Sequence, residues 1–283
     1  MPNQIITSPT ALQPSSLDNR DFIAESIDLN AVNLPATLDL RGEMLPVRHQ
    51  GVQQSCAAFV SSAMKEWQER KDVGFQGYMS PQFIYDNRQD PTSDGMTGRF
   101  VMDILSKKGC CPEILYPYGQ AKAVQDIPLE LFQEAAKFKV QGYARINTID
   151  GLKKALFRNG PCMMNIPMYD QSVNIWLPKR PGQGMIGGHA MTVVGYNEQG
   201  FILRNSWGSG WGDKGYCIFP FADWGSQWDI WTSIDAASVP VDPSINIKPI
   251  IAPLKDPNTS KNMMIGIAVV AVIVVIAAVL SIL

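Results

Sequence analysis

The segment Met263 to Leu283 is an unbroken apolar run of 21 residues without a single charge. A helix needs about 20 such residues to cross a bilayer core, and no polar stripe marks a second face along it as in a packed surface helix. The chain is therefore expected to divide into a transmembrane helix at residues 263–283 and a remainder that must build its own core. Lys255 and Lys261 lie on the N-terminal side of the run and no charge follows it, which is expected to hold residues 1–262 on the cytosolic side of a membrane crossed once. A lipid-anchor signal cleaved near Thr259 and Ser260 would need a secretory leader and a polar spacer of about 8–12 residues, and neither is seen. The opening Met1-Pro-Asn-Gln-Ile-Ile-Thr-Ser-Pro-Thr has no basic or apolar region of the leader type.

Residues 1–35 are rich in Asn, Ser, Thr and Pro without a sustained apolar period, and read as an arm on the surface. Residues 237–262, with Pro249, Pro253 and Pro257 evenly spaced, read as an extended stalk. The unit between, 36–236, has the apolar content for one sizeable core, since 46% of the whole chain is hydrophobic and only 18% charged. Its first part is helical in pattern. The run from Cys56 to Lys71 has apolar residues at 56 to 60, 63, 64 and 67, with Ser55 as N-cap. Further helices are predicted at Gly98 to Lys108, Leu129 to Lys139 and Asp150 to Asn159, the last closed by Gly160-Pro161. The last third turns to strand pattern at Ala190 to Tyr196, Gly200 to Arg204 and Tyr216 to Phe219, an antiparallel meander. Helices first and strands later make an α+β fold.

Several functions are disfavoured at once. Balanced charge, 24 basic against 26 acidic residues, supplies no electrostatic footprint for nucleic acid. The five cysteines, Cys56, Cys110, Cys111, Cys162 and Cys217, show neither C-x-x-C spacing nor a disulfide framework, and the two histidines, His49 and His189, stand in unrelated contexts. No metal and no cofactor is expected.

What remains is thiol chemistry. A lone cysteine in an apolar stretch is usually an inert core residue. At the first turn of a helix, however, a thiolate faces unpaired N–H groups and the positive end of the macrodipole, which lowers the thiol pKa. His189 follows Gly187-Gly188, begins a strand, and is the best base available. If Tyr196 faces Phe201 across the turn, Asn205 lies at the same end of the ladder about three positions from His189, so a bulge must bring them together.

Gln50-Gly-Val-Gln-Gln-Ser-Cys56-Ala-Ala-Phe, Gly188-His-Ala-Met-Thr-Val-Val-Gly-Tyr196 and Arg204-Asn-Ser-Trp-Gly-Ser-Gly-Trp-Gly212 resemble, in order, the three signatures of the papain/cathepsin family of cysteine peptidases. His189 follows Cys56 by 133 residues and Asn205 follows it by 149, inside the interval of about 130–150 known for that family. The resemblance extends from about Leu34 to Trp231 and takes in Ser80-Pro-Gln-Phe-Ile-Tyr85, Cys111-Pro-Glu-Ile-Leu-Tyr-Pro-Tyr118 and Gly215-Tyr-Cys-Ile-Phe-Pro-Phe221. It implies a two-lobed fold, with a helical left lobe and an antiparallel β-barrel-like right lobe. It also implies a Cys56–His189 thiolate–imidazolium pair, Asn205 fixing the imidazole, and Gln50 with the Cys56 N–H as oxyanion donors. Trp207 resembles the indole that shields the His–Asn bond, and it equally suits a plain core aromatic.

Three features depart from the family pattern. Gln53 replaces a cysteine, which removes a disulfide and suits a reducing compartment. Ala57 replaces an aromatic residue beside the thiol. The arm is much shorter than the family's inhibitory propeptide, so control by a large cleaved prodomain is not expected. The layout of short arm and tail anchor resembles that of papain-like proteins of large DNA viruses. The partners implied are a peptide or protein substrate and, through residues 263–283, a lipid bilayer. Oligomeric state stays open, as do acyl transfer in place of hydrolysis and a catalytically silent, membrane-tethered binding protein.

Overall fold

The protein is seen in a computed structural model that describes residues 12–27 and 32–235. The stalk at 237–262 and the expected transmembrane helix at 263–283 lie outside the described residues. Among the described residues no helix is long and apolar enough to cross a membrane.

Two short elements, α1 (Ala24–Ile27) and β1 (Leu38–Asp39), precede the long helix α2 (Cys56–Val73), followed by α3 (Pro81–Asp86), α4 (Gly98–Lys107) and α5 (Leu129–Ala136). Then come β2 (Val140–Ile146), α6 (Ile149–Asn159), β3 (Cys162–Met168), β4 (Gly187–Tyr196), β5 (Gly200–Arg204), β6 (Tyr216–Pro220) and β7 (Asp229–Asp235). The sheet runs β2-β7-β3-β4-β5-β6, with β1 added on β4, and its neighbours are antiparallel. The expected α+β fold is present, with more strands than the sequence pattern showed.

The strands that escaped the pattern did so for physical reasons. β3, Cys-Met-Met-Asn-Ile-Pro-Met, is buried at every position and so shows no alternation, and its methionines are not β-branched. β2 carries Gly142 at an irregularity in its register with β7.

Helix α2 is central: burial extends from Cys56 to Glu69 rather than stopping at its apolar half, because Lys65, Glu66, Gln68 and Glu69 are buried with partners. Gly74 ends it in the left-handed region at φ 71°, donating its N–H to the Glu69 carbonyl. Ser55 occupies the N-cap position but makes no side-chain cap bond. Its hydroxyl instead meets the Tyr118 hydroxyl at 2.7 Å. One apolar cluster joins Cys56, Val60 and Met64 of α2 to Val101 and Leu105 of α4 and Trp231 of β7. A second lies on the sheet side, around Leu156 of α6, Met164, Val193, Phe201 and Phe219.

Tyr196 pairs with Phe201 as expected, and the register slips between Val193 and Gly195, so that Thr192 faces Arg204. The required bulge is there. Strand β1 crosses it, and a Cβ on Gly195, whose φ is 155°, would stand 2.1 Å from the Leu38 carbonyl oxygen. Glycine is needed both for the angle and for the approach. Gly195→Ala is accordingly expected to destabilise the fold by about 2–5 kcal/mol through backbone strain and overpacking. The check is the midpoint of urea unfolding, and an unchanged midpoint would mean that β1 does not press on the bulge.

Candidate active site

Cys56 is the first residue of α2 and only 1% exposed. The backbone N–H groups of Ala190, Ala57 and Cys56 itself face its sulfur and favour the thiolate, yet burial outweighs them and pushes the thiol up to about 11. The thiol activation expected from the helix start is therefore overridden in this state by desolvation. Ala190, the residue after His189, lies in the same buried cluster as Cys56, so β4 and the start of α2 meet here.

His189 is fully buried on β4, and its Nε2 lies 2.8 Å from Asn205 Oδ1. That oxygen also accepts the Ser206 N–H at 2.8 Å. An atom that accepts from a backbone donor must be the amide oxygen, so the imidazole carries its proton on Nε2 and donates it. Nδ1 keeps the lone pair and has no hydrogen-bond partner. Burial, only partly offset by the Asn205 bond, lowers the imidazole to about 4. Burial thus disfavours the charged form of both the thiol and the imidazole. The Trp207 ring covers the imidazole at 4.6 Å between centroids, tilted by 33°.

Gln50, 2% exposed, sits in the loop before α2. Its Oε1 accepts from Ser206 Oγ at 2.6 Å, its Nε2 donates to the Gln53 carbonyl at 2.9 Å, and its carbonyl accepts from the Tyr118 hydroxyl at 2.7 Å. The structure therefore brings all four expected residues into one buried region, linked through β4, β5 and the loop before α2. Sequence reasoning missed Ser206, which joins Asn205 to Gln50, and Tyr118, which joins Gln50 to Ser55. Both lie inside quoted motifs, but motif spacing carries no signal for a hydroxyl that holds another side chain. His49 stands beside the site through its backbone bridge with Trp207, but its Nδ1 accepts from the Gly51 N–H at 2.8 Å, within its own turn.

A second residue group was not foreseen at this place. Leu12, 2% exposed, belongs to the same buried cluster as Cys56, Met96 and Ala190. Gln13 donates its N–H to the Met96 carbonyl at 3.1 Å. A side chain on Gly188, beside His189, would meet the Leu12 carbonyl oxygen at 2.6 Å. The arm thus passes directly over the site. All five cysteines are free and buried, and among the described residues no group of His, Cys, Asp and Glu is arranged to hold a metal ion.

A family model described as papain family cysteine protease matches residues 34–222. An uncharacterised peptidase C1-like protein of Acanthamoeba polyphaga mimivirus is 31% identical over 225 residues, covering 70% of this chain and 71% of that protein. Cathepsin K of Mus musculus is 31% identical over 203 residues, covering 65% of this chain and 59% of that protein. The chain therefore spans less than two thirds of the length of this mammalian relative. Among solved structures, xylellain, a cysteine protease from Xylella fastidiosa, superposes with a TM-score of 0.69 at 26% identity, covering 81% of this chain and 97% of that one.

The lowered imidazole has a consequence for stability. The unfolded chain takes up a proton near pH 6.5 while the folded chain resists until about 4, so stability is full above 6.5 and falls as the pH drops through this window, by about 3 kcal/mol in all. The difference between urea midpoints at pH 7 and pH 4.5 is expected to shrink in His189→Gln, which cannot titrate. An equal difference in the variant would assign the acid sensitivity to other groups.

Proposed function

The chain belongs to the papain family of cysteine proteases and is by that membership a cysteine endopeptidase; we propose that Cys56, His189, Asn205 and Gln50 perform its chemistry, on a unit tethered to a membrane by residues 263–283. One observation carries the residue assignment. His189 is locked by Asn205 with Nδ1 left unpaired, while Ala190, the next residue in the chain, lies in the buried cluster that holds Cys56.

The chemistry follows from that tautomer. When substrate and water reach the site, desolvation is relieved and the Cys56 proton passes to His189 Nδ1. The thiolate attacks the peptide carbonyl carbon, and the charge formed on oxygen is met by the Gln50 Nε2–H and the Cys56 N–H. His189 then gives its proton to the leaving amine, the C–N bond breaks, and an acyl thioester remains on Cys56. Water adds to this thioester with His189 as base, releasing the acid and restoring the thiol. Asn205 keeps Nε2–H in place throughout, Trp207 limits water at that bond, and Ser206 presents the Gln50 amide with its N–H side forward.

The tether rests on the length and lack of charge of residues 263–283, with the proline-bearing segment 237–262 as spacer and 36–236 as the peptidase domain. Lys255 and Lys261 favour a cytosolic position for that domain, and the free cysteines suit a reducing compartment. The substrate is a peptide or protein.

Cleavage of a short peptide is expected to vanish in Cys56→Ala without loss of fold, and to fall nearly as far in His189→Ala. Asn205→Ala, which loosens the base without deleting it, should be milder, and Gln50→Ala should lower kcat by about 10- to 1,000-fold with little change in KM. Turnover by Cys56→Ala at the parent rate would remove the assignment of the nucleophile, and an Asn205 defect larger than that of His189 would contradict the roles given. For the tether, full-length protein is expected to resist carbonate extraction, and protease added to intact microsomes should destroy its catalytic domain. Protection of the domain would reverse the topology.

A further inference from the structure

We propose that the face built from α6, the end of β7 and residues 22–25 is a docking surface for the phosphate headgroups of an anionic bilayer; the choice of a bilayer rests on the membrane reading of residues 263–283. The first observation is a cavity of about 230 Å³ between α6 and the sheet, outside the catalytic site, whose walls include Lys154 and Arg158 of α6, Thr232 and Ile234 of β7, and Glu25. Lys154 and Arg158 are four positions apart and so share one side of the helix. Arg158 is exposed and Lys154 half-buried. An ammonium and a planar guanidinium at the rim of one opening are the side chains that phosphate oxygens pair with best.

The acids nearby are accounted for. Glu25 gives its Oε1 to the start of α6, accepting from the Asn147 N–H at 2.9 Å and from the Thr148 N–H and hydroxyl at 2.8 Å each. Asp150 stands in the first turn of the same helix, whereas Lys154 lies in the second turn and Arg158 in the last. Asp235, beyond Ile234, is taken by Lys65. The negative charge therefore sits at the opening of α6 and inside the domain, and the positive charge at the outer end of the helix.

The second observation is an aromatic rim. Phe157, beside Arg158, is 46% exposed, and Phe22, two residues before the cavity wall at Ala24, is 69% exposed. The Phe22 carbonyl is fixed by the Arg145 N–H at 2.8 Å, which keeps that residue on the edge strand β2. Rings at headgroup depth with cations against the phosphates are what a bilayer interface takes up. A small soluble phosphate would leave both rings in water, and this favours the lipid.

The third is position along the chain. Ile234 lines the cavity and Asp235 ends the described residues, so the chain leaves the domain at this face. Residues 236–262 separate that point from the apolar run, and a chain of that length reaches at most about 90 Å. Such a tether alone lets the domain wander, and a headgroup-binding face at its root lays the domain down on the surface.

The test uses the full chain reconstituted in vesicles of phosphatidylcholine, with or without phosphatidylserine. An impermeant amine-acylating reagent labels the outward-facing lysines, and each site is read by peptide mass. Phosphatidylserine is expected to slow labelling of Lys154 by about fivefold, the value of one such charge near an anionic surface, relative to Lys107 on α4, whose side chain is 71% exposed. Raising the salt should remove the protection. Arg158→Gln should lose most of it and Arg158→Lys should keep it, with peptide cleavage in detergent at the parent rate in both. Should Arg158→Gln melt early, the salt dependence of the parent carries the same comparison. Equal Lys154 rates in the two lipids, in protein that resists carbonate extraction, would overturn the docking face and leave the tether standing. Protein lost to carbonate with Lys154 still protected would sink the tether and keep the face. Protection by inorganic phosphate on neutral vesicles equal to that by phosphatidylserine would make the cavity a site for free phosphate and overturn the lipid assignment.

Discussion

The hydrogen bond from His189 Nε2 to Asn205 Oδ1, 2.8 Å long, is the contact around which the other parts of the site are arranged. It joins two strands that a regular ladder would leave out of step, and the slip between Val193 and Gly195 brings their ends within reach. From it the order propagates outward by single bonds. Ser206, next to Asn205, holds the Gln50 carboxamide oxygen at 2.6 Å and, through its carbonyl, the Gln50 backbone N–H at 2.8 Å. Gln50 in turn holds the loop that delivers Cys56 to the start of α2. Because each link is buried, breaking one leaves an unpaired polar atom in a place water does not reach, so the links act together.

The loop that carries Gln50 is also held from below by charge. Arg48 pairs with Glu66 of α2 at 2.7 Å and with Glu113 at 3.2 Å, and its guanidinium lies over the rings of Phe59 and Tyr78 at 5.1 and 4.4 Å. Burial raises the Glu66 carboxyl against the pull of Arg48 and Arg204, so the stabilisation depends on the partners being present together. Farther along the same helix Lys65 bridges Glu69 and Asp235, fastening the last residue of β7 to α2. The helix that starts with Cys56 is thus fixed along its length by ion pairs that an apolar pattern does not reveal. The same desolvation that makes these pairs matter disfavours charge on Cys56 and His189. Electrostatics of position and electrostatics of reactivity are here one effect, the removal of water from a narrow seam between helices and sheet.

Much of this architecture is legible in the amino-acid sequence. Local signals mark α2, α4 and α6 to within a residue or two, since apolar spacing and the closing Gly160-Pro161 act over a single turn. The pairing of Tyr196 with Phe201, and the need for a bulge between His189 and Asn205, follow from counting along a hairpin, where two strands are bound by a short turn. The order of the motifs points to the family and to the four site residues. Three things were decided only by tertiary structure. Strands β2, β3 and β7 take their conformation from neighbours far along the chain, and β3, buried on both faces, has no alternation to read. Burial of Cys56 and His189, a sum over all surrounding groups, works against the preference of the helix start. The arm, whose composition suggests polar surface cover, contributes Leu12 to the buried cluster that holds Cys56, because whether a single leucine in a proline- and serine-rich segment is buried depends on what the folded domain offers it, and no local pattern contains that information.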